Sequence, residues 1–271
     1  MPDSEGAHFT IPMTITERVN GERLVVLVWG RAILMQLAHP LVAQGVADHS
    51  SFREATVTRL RRLHGTIKAM LDLTFGDADA KGATTDRINA IHDRVHGHLS
   101  EDAGRWQAGT PYSATDPALL TWVEATLLDS MPMAYQAFVA PLTSVEIDAY
   151  CDEASSGSEL LRIPAGMVPA SRAALDIYLQ QILDSDVLSV TSVAREVAHE
   201  VIEPPGARAL WPATMVTRLV TIGWLPPRIR EAYGFPWTNE DARKLARWCR
   251  RIRTARGHMP NALARWSVAR M

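Results

Sequence analysis

Cysteine is scarce. Cys151 and Cys249 are the only two in 271 residues and lie far apart, which excludes a disulfide framework and a cysteine-based zinc knuckle. Neither sign of charge is in excess. Lys plus Arg number 28 against 30 Asp plus Glu, so there is no global basic footprint for nucleic acid. No G-x-G-x-x-G, G-x-x-x-x-G-K-[ST] or G-x-S-x-G occurs, which removes the common nucleotide and hydrolase signatures. Strand signals are nearly missing. Asn20-Gly21 is the only Asn-Gly or Asp-Gly pair, and the segments beside it do not alternate. There is no internal repeat and no low-complexity stretch. Residues 1–15 lack a basic start, an apolar core and a small-residue cleavage site, so the expectation is a cytoplasmic protein without an export signal. Hydrophobic residues at 47% and charged residues at 21% exclude wholesale disorder.

What is present reads as helix. Asp116-Pro117 pairs an N-cap with proline at the first helical position, and it launches an apolar segment to Ala140 with Pro132 as an expected kink or break. Thr143 to Glu146 has capping-box spacing, and Thr238 to Asp241 repeats it with aspartate. Nine or ten helices are predicted, near 15–47, 56–74, 85–98, 117–139, 144–162, 171–184, 191–202, 213–224, 228–233 and 239–256. The chain is thus expected to be one all-α domain, a multi-helix bundle over residues 16–257, between a flexible N-terminus (1–15) and a C-terminal tail (258–271). The apolar run from Leu24 to Val46 raises a membrane question. It contains Arg31, Gln36, His39 and Pro40, and a central arginine alone costs about 3 kcal/mol on insertion. A buried core helix is expected instead of a span. The basic stretch Arg243 to Arg270 reads as an amphipathic helix packed on the domain, with peripheral membrane contact left open.

Six of the nine histidines, His39, His49, His64, His92, His96 and His98, fall within sixty residues. Imidazole is the commonest ligand for transition metals and heme iron. On a helix, His92 and His96 would share a face and resemble the zinc motif H-E-x-x-H with aspartate in place of glutamate. That reading gives a metal-dependent hydrolase as one alternative. Arg59, Arg62 and Thr66 share one helical stripe beside the apolar Leu63, Ile67 and Met70. Such a stripe suits either a solvated basic face or the anionic group of an apolar ligand.

The order of motifs is more specific than any one of them. Arg31 to Pro40 (RAILMQLAHP) is followed by Val46 to Phe52 (VADHSSF), Arg62-Leu63-His64-Gly65-Thr66, Thr74-Phe75-Gly76 and Ile91 to Gly97 (IHDRVHG). Pro111 to Ala114, Trp122 to Leu127, Leu225-Pro226-Pro227 and Tyr233-Gly234 come after. Over roughly residues 18–255 the chain resembles the rubber-oxygenase (latex-clearing protein) catalytic-domain family, shared with the mycophenolic-acid-pathway oxygenase. The resemblance implies an all-α fold, globin-like in places, with a central pocket for heme b. It implies His92 as proximal iron ligand, with Arg62 and Thr66 lining the site. Arg31 and His39 join them as polar residues on a long apolar helix: Arg31 toward the cofactor, His39 toward catalysis. The function implied is a heme-dependent oxygenase or oxidoreductase that takes dioxygen and an apolar small molecule. A non-catalytic heme protein for sensing, storage or electron transfer is the runner-up. Two departures matter. Glu124 stands where the family commonly has histidine. The glutamate base of the polymer-cleaving members falls near Val46, leaving Asp48, His39 or His49 to substitute. The expected substrate is therefore an intracellular molecule and not rubber.

Overall fold

The computed structural model describes the backbone of residues 13–49, 56–202 and 211–270, and the side chains of these apart from 56–62, 211–213 and 270. Among the described residues there are thirteen α-helices and a single two-stranded sheet. The fold is all-α, as the capping signals predicted.

The centre of the bundle is α6 (Pro117–Phe138). Fourteen of its 22 residues are buried, which marks a helix enclosed on most sides and not a surface helix with one apolar stripe. Asp116 caps it through Ala118 N–H at 2.8 Å, with Pro117 supplying a fixed φ. The helix runs through Pro132 without a break. Around it pack α2 (Trp29–Leu37), α8 (Arg172–Asp184) and α12 (Asn239–Gly257), and α10 (Trp211–Gly223) packs in turn on α2 and α12. On α12, Leu245 is buried and Trp248 and Ile252 pack on the core, as the amphipathic pattern predicted. Arg256 of this helix makes a two-pronged ion pair with the buried Glu22, at 2.7 and 2.8 Å. Beyond it, α13 (Asn261–Ala264) and a 3-10 turn at Ser267–Arg270 return to the start of the chain, where Trp266 N–H bonds to the Gly21 carbonyl.

The stretch predicted as one helix over 15–47 is divided. It holds α1 (Ile15–Asn20), a 3-10 segment (Arg23–Val28), α2 and α3 (Pro40–His49). The axis bends by 110° between the segments Arg23–Leu37 and Pro40–His49. Pro40 is the cause, because it disfavours helical geometry at His39 and serves well only as a first helical residue. Among the described residues no single helix is long and apolar enough to cross a membrane.

The helix predicted over 85–98 also differs. It begins earlier and ends sooner, as α5 (Ala78–His92), with Asp77 as N-cap. After a turn, His96–His98 form β1, which pairs antiparallel with β2 (Pro111–Ser113), Gly97 facing Tyr112. A small second core of Leu41, Leu99, Ala103, Tyr112 and Leu119 joins this hairpin to α3 and α6.

Candidate functional site

A cavity of about 410 Å³ opens between α2, α3, α5, β2 and the first turns of α6. That volume lies in the range of small-molecule pockets. Most of its wall is apolar: Leu41, Val42 and Val46 from α3, Ile91 from α5, Leu120 and Val123 from α6. The polar members are Gln36, His49, His92, Tyr112 and Ser113. No charged side chain lines it among the described residues.

His92 is the last residue of α5, and Asp93 caps the helix behind it. Its Nδ1 is buried and meets no hydrogen-bond partner among the described residues. Burial lowers the ring's pKa, opposed by Asp93 and helped by Arg162. A buried polar atom without a partner costs about 1–3 kcal/mol, so it calls for a ligand or a functional reason. This is the residue that the motif order singled out, and it stands on the cavity wall.

The hairpin fixes the opposite wall. Asp48 accepts from Tyr112 Oη at 2.6 Å and from Gln44 Nε2 at 2.9 Å. The next residue, His49, places Nε2 3.0 Å from the His96 carbonyl oxygen. Gly97 makes this contact feasible: a Cβ there would sit 2.6 Å from Tyr112 Oη and 2.8 Å from Cζ. Gly97→Ala must therefore push the ring off Asp48. We expect a loss of about 1–3 kcal/mol in chemical denaturation, with the Tyr112 environment altered in near-ultraviolet dichroism. An unchanged Tyr112 signal would contradict the packing described.

Three of the sequence-based expectations meet a different geometry at this cavity. Arg31 does not line the cavity. It is buried in an ion pair with Asp129 Oδ2 at 2.5 Å, and it also donates to Ser130 Oγ and the Trp224 carbonyl. Each of its three nitrogens thus donates to a partner inside the protein, and Arg172 reaches the other Asp129 oxygen at 2.8 Å. His39 is also outside the cavity wall. Its Nδ1 accepts from Leu41 N–H at 3.3 Å, so the ring caps the start of α3, and burial followed by the nearby Arg105 charge drives its pKa down to about 4. It packs against Trp106 with ring centroids 5.3 Å apart. The shared helix face of His92 and His96 does not exist, because α5 ends at His92 and His96 belongs to β1. No group of three metal-binding side chains occurs among the described residues, so the hydrolase reading loses its geometric basis.

Thr66 lies on α4 (Thr56–Phe75), exposed and outside the cavity wall, and the Arg62 side chain lies outside the described residues. Glu124, one residue beyond Val123 on α6, is not in the wall either; burial pushes its carboxyl up to about 7. Two wall residues were missed by sequence reasoning in this role. Gln36 drew notice only as a polar residue on an apolar helix, and Tyr112 only as part of the PYSA motif.

The fold defines a helical-bundle protein with a mostly apolar cavity on whose wall His92 stands. Residues 17–254 match the family model described as "ER-bound oxygenase mpaB/B'/Rubber oxygenase, catalytic domain", and the chain belongs to that family of oxygenase catalytic domains. It is similar to two mycobacterial proteins, the uncharacterized protein Mb2261 of Mycobacterium bovis and the uncharacterized protein Rv2237 of Mycobacterium tuberculosis. Each is 26% identical over 219 residues, covering 79% of this chain and 81% of the relative. No solved structure matches the chain.

Proposed function

We propose that this chain is a heme b-dependent oxygenase of the cytoplasm that admits dioxygen and an apolar small molecule to the cavity between α3, α5 and α6, with His92 as the iron's imidazole. The observation that carries the reading is the buried Nδ1 of His92, unpaired among the described residues, on a mostly apolar wall. Heme bound there would supply the activation of dioxygen, which no side chain can perform. The imidazole and the aliphatic wall fit the iron and the macrocycle in chemical type, while among the described residues the wall offers no cation to the propionates, a role for which the resemblance leaves Arg62. Burial favours the neutral ring of His92, the form that can ligate a metal. The aliphatic wall excludes water and so strengthens each polar contact made inside. Arg62 and Thr66 keep the site roles that the resemblance gives them as part of this proposal.

Protein produced with ample heme should carry one b-type heme per chain and a Soret band. His92→Ala should lose most of that band while its far-ultraviolet dichroism stays near wild type. His96→Ala, on the exposed hairpin, should leave the spectrum unaltered. Absence of a Soret band after reconstitution with hemin would refute heme binding; loss in His96→Ala alone would move the ligand.

A further inference from the structure

The polar groups on the cavity wall differ in what they have left to offer. Tyr112 spends its only proton on Asp48. The Ser113 hydroxyl is shared with Thr115 Oγ1 at 2.7 Å and also receives Thr115 N–H. Gln36 Nε2 lies 3.0 Å from Thr126 Oγ1, and Thr126 in turn donates its proton to the Val123 carbonyl at 2.7 Å. The threonine hydroxyl can therefore only accept from Gln36. This fixes the amide orientation and leaves Gln36 Oε1, an acceptor, without a partner among the described residues. The same logic settles His49. A carbonyl oxygen cannot donate, so Nε2 must carry the proton toward His96, and the neutral ring keeps a bare lone pair on Nδ1.

With His92 assigned to the cofactor and the Ser113 hydroxyl engaged with Thr115, the wall offers two acceptors with no partner among the described residues, one on α2 and one on α3, and no charge. A ligand entering such a wall gains nothing from a carboxylate or an ammonium, and burying either without a partner is costly. An apolar body gains the area it buries. A hydroxyl or N–H gains further by satisfying an acceptor that would otherwise lose its water. We infer that the substrate of this cavity is an uncharged, largely apolar molecule carrying a hydroxyl or an N–H, donated to Gln36 Oε1 or His49 Nδ1. The inference rests on the reading of the cavity as the substrate site and of His92 as the residue taken up by the cofactor.

The test is calorimetric, on the full chain as purified and after hemin loading, at mildly alkaline pH. The probes are para-propylphenol, its methyl ether para-propylanisole, and para-propylbenzoate. The phenol should bind about threefold to tenfold tighter than the ether, the worth of one hydrogen bond. Gln36→Leu and His49→Ala should each shrink that ratio, and the double variant should bring it to about one while ether binding persists, which reports that the cavity is intact. A wild-type ratio near one, a ratio unaltered in the double variant, no binding of either probe, or tighter binding of the benzoate would each overturn the inference. Failure of heme binding would show separately, as a missing Soret band with the probe titration still readable.

Discussion

Asp129→Ala should cost about 3–5 kcal/mol in chemical denaturation, the loss typical when one member of a buried ion pair is removed and its partner stranded. Asp129 and Arg31 are both almost fully buried, and the aspartate also holds Arg172. The cluster ties α2, α6 and α8 together, and Arg31 extends it to the Trp224 carbonyl at the end of α10. Burial alone would raise the Asp129 pKa; the guanidiniums of Arg31 and Arg172 together more than offset it, so the carboxyl lies below the ordinary aspartate range. A depressed acid pKa contributes stability at neutral pH that is lost as the pH falls through the folded-state value. Wild type should therefore approach Asp129→Ala in stability on acidification. The double variant Arg31→Met/Asp129→Leu should recover much of the loss, since it strands no charge on Arg31 and Arg172 keeps Asp176. If Arg31 instead served an anionic group of a cofactor, Asp129→Ala would be mild and would change heme affinity. A change below about 1 kcal/mol together with a shifted heme affinity would restore that role.

Arg31 also shows how far the sequence carries. A charged residue on an apolar run must have a partner, and this was legible; that the partner is Asp129, 98 residues on, was not. Helix starts were legible because caps are local. Asp116, Thr143 and Thr238 each bond as their spacing predicted, the last two as full capping boxes. Helix ends and bends were less so. The aliphatic run from Leu24 to Val46 has the same hydrophobicity on both sides of Pro40, so composition hides the 110° turn that sends α3 to the cavity. The stop after His92 depends on Gly97 packing against Tyr112, a contact across the hairpin that no helical periodicity reports. Motif order pointed to His92, and the structure puts that residue on the cavity wall. Gln36, His49 and Tyr112 become one wall only when α2, α3 and β2 meet, which is a tertiary fact.

Heme-loaded protein incubated with polyisoprene latex under oxygen should release carbonyl-ended oligomers at a rate at least about 10²-fold below that of a rubber-cleaving member of the family, given that a general base supplies about 10²–10⁴-fold. Where the resemblance puts that base, this chain has Val46, and Val46 lines the cavity as a partly buried aliphatic residue. Neither of two nearby substitutes is available. Asp48 already accepts from Gln44 at one oxygen and from Tyr112 at the other, and it is not in the cavity wall. His39 faces Trp106 and caps α3 outside the wall. His49, one helical turn beyond Val46, is left, and its Nδ1 is placed differently from a carboxylate at position 46. An apolar polymer also has no O–H or N–H to offer Gln36 or His49, so it forfeits the polar contacts that the cavity can make. Val46→Glu supplies the informative comparison. If the missing carboxylate is what separates this chain from the polymer enzymes, that variant should release more oligomer than wild type while keeping its Soret band. Wild-type turnover equal to that of a rubber oxygenase, with loss of activity in His49→Ala, would refute the prediction and identify His49 as a sufficient base.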